Sequence, residues 1–484
     1  MRELALKGLK WSFIQQFTTQ IVNYISVIIL AALVEPEVQG FITIASIPIG
    51  FVGVLGSFGI REKIIKDKEI NEDYKSCLLG FVVVSSGLLF LLSLFLTIIV
   101  AWFYQNNFSF SDIIKYGIVL SFISPIVVYN HYFESFQTRD LNFKAISVIT
   151  TISMLLGISI SLYIAYIGYG IWGVTFKILL PYIFNFIFYI IFLKPSLKIS
   201  WCPDMYKEFK NFSMFLTFNN IANYFVRNID YLIIGKVFNA DVLGQYSIAY
   251  KILLFPMKNV TSRIQSVAMP MLAKLNIGSE NFNKKYFMII GLLSFITLPM
   301  MALVALTAPD WVPLAFNHKY NLLVQMIIIL SVVGAFQSLV SPVGALYILK
   351  ESTKLMFLNS VIISFIISIA FLVSALTKQI NIVLITYAIT WMLVVLPISM
   401  YRIFRVYNMK LITFFMTMFS SFSCAIASVA IVYLCRMFLF DFAPILNIII
   451  STITFLGLFL GFYRLLMKKN ENSFHYYYQI LRGK

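Results

Sequence analysis

Fourteen apolar runs, each long enough to cross a lipid bilayer, follow one another along this chain with little between them. They lie at about 11–34, 40–60, 77–103, 111–131, 143–166, 170–193, 211–238, 242–272, 286–306, 322–349, 353–376, 379–401, 411–437 and 443–466. A hydrocarbon core of about 30 Å is crossed by about 20 apolar residues in a helix, and no stretch between the runs could fold as a soluble domain of its own. The sequence therefore specifies an all-α integral membrane protein with 14 transmembrane helices. Composition agrees: 12% of the residues are charged and 60% hydrophobic, whereas a soluble domain carries about 25% charged residues. The first run is too long for a signal peptide and ends in Glu35-Pro36-Glu37 rather than a small-residue cleavage site, so it reads as a retained anchor.

The net charge of +17 suggests nucleic acid until the charges are placed. Of the 37 basic residues, 27 fall in the termini and alternate connections on one side, and only Lys115, Lys236, Lys319, Lys378 and Arg436 on the other. Such a bias puts both ends in the cytoplasm and implies an even number of spans. It leaves no folded basic surface, which excludes a nucleic-acid partner. Cys77, Cys202, Cys424 and Cys435, like His131, His318 and His475, are scattered without metal or redox spacing and read as lipid-facing or interfacial residues. No metal site or cofactor is expected.

A hairpin sequence occurs twice, offset by 204 residues: 29–45 reappears as 233–249, with Ile29, Val38, Gly40, Ile44 and Ala45 identical and Glu37 matched by Asp241. Gln15 and Gln16 fall over Asn219 and Asn220 at the same offset. The repeat divides the chain into an N-terminal lobe at 1–193, a cytoplasmic linker at 194–210, a second six-helix lobe at 211–402, and a final pair of helices with a tail at 403–484. Six spans separate the copies, so they share one orientation and are related by a pseudo-twofold axis along the membrane normal, the arrangement of transporters whose pathway lies between halves.

Ionisable residues inside spans are costly, roughly 2.5–3.5 kcal/mol each on insertion scales, and by default mark function. The seventh span carries Asn219, Asn220, Asn223, Arg227 and Asp230, with Asn220, Asn223, Arg227 and Asp230 on one helical face. The eighth carries Lys251 and Lys258 seven residues apart. Arg227 and Lys251 each lie 12 residues from the turn at Asn239, about 18 Å at 1.5 Å per residue, close to the bilayer midplane. Two level cations repel unless an anion or water separates them. These residues, with Lys258 and Lys177, form a candidate cationic lumen for an anionic substrate. The alternative has Arg227 paired with Asp230 and the lysines snorkelling. Gln15, Gln16, Gln20 and Asn23 offer amides suited to sugar hydroxyls or to neighbouring helices. Asp230, the only carboxylate well within a span on this map, either neutralises Arg227 or couples transport to a H+ or Na+ gradient.

Asn228-Ile229-Asp230-Tyr231-Leu232-Ile233-Ile234-Gly235, then Leu243-Gly244-Gln245-Tyr246-Ser247-Ile248-Ala249-Tyr250 and Pro256, resemble the polysaccharide-transporter flippases of bacterial envelopes. So do Gly8 with Trp11, the Pro36-to-Gly40 turn, Arg139-Asp140-Leu141-Asn142-Phe143-Lys144 and Gly168-Tyr169-Gly170-Ile171-Trp172-Gly173. The similarity is greatest to the O-antigen and colanic-acid-type exporters of the multidrug/oligosaccharidyl-lipid/polysaccharide superfamily, and covers about residues 1–275. Glu62 and Lys63, where an apolar stretch is more usual, depart from the pattern. The resemblance implies 14 helices in a V-shaped two-lobe arrangement in a bacterial inner membrane. It further implies flipping of an undecaprenyl-pyrophosphate-linked glycan, surrounding membrane lipids as partners, polysaccharide polymerase machinery as a candidate protein partner, and a substrate-contacting role for the face bearing Arg227 and Asp230, beside Lys251. A multidrug antiporter of the same superfamily is expected to have 12 helices and an acidic cavity; a lipid II-type flippase would differ chiefly in substrate. A membrane glycan polymerase needs a cluster of acid, base or positioning residues, and the short outward connections hold none, so no enzyme activity is expected.

Overall fold

The computed structural model describes residues 2–56, 60, 64, 70–195, 198–202, 224, 228–316, 319–350, 352–439 and 443–467, and every regular element among them is helical. The chain divides into two compact units, Met1–Gly244 and Gln245–Lys484. The first holds α1 (Arg2–Leu33), α2 (Pro36–Ala45), α3 (Ile47–Leu55), α4 (Glu72–Tyr104), α5 (Phe110–Ser121), α6 (Ile123–Arg139), α7 (Phe143–Tyr166) and α8 (Gly170–Leu193). Next comes α9 (Ala240–Leu253), followed in the second unit by α10 (Ser262–Ala273), α11 (Glu280–Phe316), α12 (Leu323–Val340), α13 (Val343–Leu349), α14 (Thr353–Ala375), α15 (Ile380–Thr390), α16 (Leu396–Val406), α17 (Leu411–Leu439) and α18 (Pro444–Met467).

Twelve stretches of the described residues are long and apolar enough to cross a membrane, and they correspond to the first six and last six expected spans. The count of fourteen is not reached for two local reasons. Most of the seventh run lies outside the described residues. The eighth is no continuous helix: α9 ends at Leu253, and a π-helical turn, Met257–Thr261, precedes α10. Pro256 accounts for the interruption, because it has no N–H to offer the Ile252 carbonyl and its ring crowds the preceding turn.

Caps written in the sequence start several helices. The Asn71 side chain accepts from the Tyr74 N–H at 2.8 Å ahead of α4, with Glu72 and Asp73 in the first turn, where the helix dipole favours negative charge. Asn142 does the same for α7 at 3.3 Å. Pro36 opens α2, where its missing N–H costs nothing.

Within the first unit the first copy of the repeated hairpin and the second copy as far as Gly244 adopt the same turn. Val34 N–H donates to Leu30 O at 2.9 Å, and Phe238 N–H, 204 residues on, donates to Ile234 O at 2.8 Å. The copies also meet reciprocally. A Cβ on Gly40 would overlap the Ala240 carbonyl oxygen, and one on its counterpart Gly244 would overlap the Pro36 carbonyl oxygen. Since Ala240 is itself the counterpart of Pro36, each copy presents the same glycine to the same carbonyl of the other, as a local twofold requires. Here glycine is needed for close backbone approach. Asn107 secures the second turn by donating to the carbonyls of Gly235, Lys236 and Phe238 at 3.2, 2.8 and 3.1 Å, while the Tyr104 hydroxyl donates to Leu232 O at 2.8 Å.

The segment 198–202 lies on the start of α4. Ser200 N–H donates to Ser76 O at 3.0 Å, Gly80 leaves room for the Ser200 carbonyl, and Cys77 and Cys202 form a disulfide with Cα atoms 5.5 Å apart. This corrects the reading of those cysteines as unrelated: 125 residues separate them in sequence, and only the folding of the linker onto α4 brings them together.

A second correction concerns the connection between the runs at 286–306 and 322–349, one of the short outward connections expected above. Despite Pro299, Pro309 and Pro313, α11 continues to Phe316, because packing in the membrane tolerates proline inside helices. Asp310 is thereby held inside a helix, 8% exposed, with Oδ1 2.6 Å from Arg436 Nη2 of α17; Arg436 Nη1 donates to Leu306 O at 3.0 Å. Asp230 is therefore not the only carboxylate buried on a helix.

Candidate functional site

In the second unit, Lys251 sits in the last turn of α9 and is half-buried. The negative end of the helix dipole favours a cation there. The broken segment after it leans on α12 through a line of small residues. Gly334 admits the Leu253 carbonyl, where a Cβ would stand 2.8 Å away; Thr261 Oγ1 donates to Ser338 O at 3.4 Å; and Gln265 Nε2 donates to Ser341 Oγ at 3.0 Å. At the other end of α9 the buried Gln245 side chain accepts from Leu322 N–H at 2.8 Å, satisfying a donor at the start of α12. The break is thus braced on both sides.

Lys258 falls in the π-helical turn and is exposed. Although the π-helical turn shifts the helix phase between them, Lys258 remains close enough for its charge to act on Lys251, so the two lysines expected together stay electrostatic neighbours. Arg263, one turn further on, is half-buried.

In the first unit, Asp230 is 5% exposed on the helical residues 228–237. Asn228 Nδ2 donates to Tyr224 O at 2.8 Å, and the Tyr224 hydroxyl reaches Ile47 O at 2.7 Å beside Gly50. Asn219, Asn220, Asn223 and Arg227 lie outside the described residues. On α1, Gln15 accepts from Ser147 Oγ of α7 at 3.2 Å, so this amide serves a helix–helix contact. Gln16 and Asn23 are exposed and Gln20 half-buried; at i, i+4 and i+7 they share one face. Lys177 is half-buried on α8, one turn ahead of Pro181, whose ring Gly157 of α7 accommodates. Pro181 has no N–H for the carbonyl of Lys177, so Lys177, like Lys251, sits close to a proline, although α8 continues unbroken to Leu193. The interrupted eighth run that carries Lys251 is of the discontinuous kind that forms substrate and ion sites in transporters.

Sequence reasoning missed the Asp310–Arg436 pair and the Cys77–Cys202 pair. Neither has a local signal, since the partners are 126 and 125 residues apart. Among the described residues, no group of three or more His, Cys, Asp or Glu could hold a metal ion.

Residues 29–325 match the model of a family described as polysaccharide biosynthesis protein. Over 377 residues the chain is 24% identical to the lipopolysaccharide biosynthesis protein WzxC of Escherichia coli (strain K12), covering 76% of this chain and 74% of that one. Among solved structures it resembles the lipid II flippase MurJ in an inward closed conformation, with a TM-score of 0.74 and 15% identity, covering 95% of this chain and all of that one. It also resembles an inward-facing multidrug resistance MATE family transporter of the MOP superfamily, with a TM-score of 0.59 and 13% identity over 85% of this chain and 95% of that one. At such identities these two likenesses establish the fold.

Proposed function

The chain belongs to the polysaccharide biosynthesis protein family, and on that premise we propose that it is a flippase for surface polysaccharide assembly. It moves polyprenyl-pyrophosphate-linked oligosaccharide repeat units across a bacterial cytoplasmic membrane by alternating access. In this reading the chain has fourteen spans and both termini in the cytoplasm, as the 27-to-5 distribution of basic residues suggests.

One observation carries the reading beyond the family: Lys251 is half-buried in the last turn of a helix that breaks at Pro256. A cation there would be costly unless it served an anion in passage. The pyrophosphate is such an anion, and Lys251 together with Arg227 supplies its electrostatic attraction. Lys258 and Lys177 widen the cationic path. Gln16, Gln20 and Asn23, with the amides of the seventh run, hydrogen-bond the sugar hydroxyls, while the polyprenyl tail stays in lipid. Asp230 is the candidate for coupling to a H+ or Na+ gradient. The chain acts as a transporter and not as an enzyme.

Flipping of a fluorescent polyprenyl-pyrophosphate oligosaccharide in proteoliposomes tests this. Wild type should flip the lipid, and Lys251→Ala or Arg227→Ala should slow flipping at least ten-fold while keeping the wild-type melting temperature. Normal flipping in both variants would refute the site. No flipping by wild type, with uptake of a cationic drug by the same liposomes, would favour the multidrug reading, for which the buried Asp230 is the supporting residue.

A further inference from the structure

A groove of about 920 Å³ runs between α11, α17 and α18 in the second unit, with Lys284 and Lys285 side by side at one end. It is distinct from the residues assigned to the transport path. Small residues make the recess: Gly291 on α11 and Ser420 and Ser423 on α17. The Ser423 hydroxyl bonds back to Phe419 O at 2.8 Å, which leaves its wall effectively apolar. From Thr413 to Ala427 the groove follows α17 over 14 residue steps, about 21 Å at 1.5 Å per step and more than one leaflet of a core about 30 Å thick. It opens sideways, where Met416 and Phe419 are 71% and 66% exposed. That opening lies along apolar, bilayer-length helices, so the occupant must enter from the membrane.

We propose that this groove binds an anionic glycerophospholipid of the surrounding bilayer, with its phosphate on Lys284 and Lys285 and an acyl chain along the recess. Three observations converge. Lys284 and Lys285 are the only charged residues among those that line the groove. The charge bias places it at the cytoplasmic leaflet, where basic pockets between transmembrane helices take anionic head groups. The volume lies near the upper end of the roughly 300–1,000 Å³ typical of small-molecule sites, but the site is entered from lipid and not from water. A polyprenyl phosphate shares this head-group chemistry, so the experiment must separate the two. The proposal does not depend on the substrate being a lipid-linked glycan.

The test is native mass spectrometry of the full chain in detergent, titrated with phosphatidylglycerol or with chain-matched phosphatidylcholine. Wild type should bind one phosphatidylglycerol at least ten-fold more tightly than phosphatidylcholine. Lys284→Gln with Lys285→Gln should remove that preference, and Ser420→Phe, which fills the recess, should weaken both lipids. Lys274→Gln with Lys410→Gln, two exposed lysines outside the groove, should leave binding unchanged. The proposal is overturned if the first lysine pair can be replaced without loss, if the second pair matters equally, or if equimolar undecaprenyl phosphate displaces phosphatidylglycerol. In that last case the site belongs to the carrier lipid.

Discussion

The Asp310–Arg436 pair offers the sharpest test of the physical picture. Arg436 Nη2 lies 2.6 Å from Asp310 Oδ1, and the two side chains are 19% and 8% exposed. The other carboxylate oxygen, Oδ2, is buried without a hydrogen-bond partner among the described residues. The pair therefore recovers its desolvation cost through one charge-assisted bond and the Arg436 bond to Leu306 O. Removing one partner of a buried pair costs about 3–5 kcal/mol, because an uncompensated charge stays behind, whereas replacing both with apolar residues of similar volume is often neutral or stabilising. Arg436→Met should therefore destabilise the second unit by about 3–5 kcal/mol, a factor of roughly 10² to 10⁴ in its unfolding equilibrium. Asp310→Leu combined with Arg436→Met should recover most of that loss. The readout can be a thiol-reactive dye at Cys424, which is 2% exposed in the fold, with Cys435 replaced by Ser and denaturant varied in mixed micelles. A loss below about 1 kcal/mol for Arg436→Met, or a double variant no better than the single, would show that the pair is not buried as described.

Other consequences are as specific. Gly40→Ala and Gly244→Ala each put a Cβ onto a backbone carbonyl with no flexible side chain to yield, so both should lower the melting temperature or abolish folded yield by size-exclusion chromatography, to similar extents because the contacts are reciprocal. Asn107→Ala leaves the carbonyls of Gly235, Lys236 and Phe238 without their shared donor; because two of these bonds are open to water, a loss of about 0.5–1.5 kcal/mol is expected, read in a denaturant titration with a reporter in the first unit. Cys77 and Cys202 should resist maleimide in oxidised protein and take it up after reductant, while Cys202→Ser should leave Cys77 reactive throughout.

The class of the protein and most of its helices were legible in the sequence. Twenty apolar residues in lipid have almost no choice but a helix, because each backbone polar group must be satisfied within its own segment. The repeat was legible for a related reason: turn chemistry is local, and Gly40 and Gly244 sit where nothing larger fits. What sequence spacing misjudged was continuity. The ninth run ended at about 306 but α11 continues past Pro309 and Pro313, and the eighth run is not one helix; both outcomes came from the surroundings: α11 is packed through Asp310 and beyond, while the Leu253 carbonyl and Thr261 settle against Gly334 and Ser338. The candidate site was legible to the same degree. Lys251 could be named because a cation in an apolar run stands out, but whether it shares a face with Lys258 depends on helix phase across a break. The Asp310–Arg436 and Cys77–Cys202 pairs and the lysine-mouthed groove belong wholly to tertiary structure. Each joins residues more than a hundred positions apart, and no local preference encodes which of the many apolar helix faces will meet.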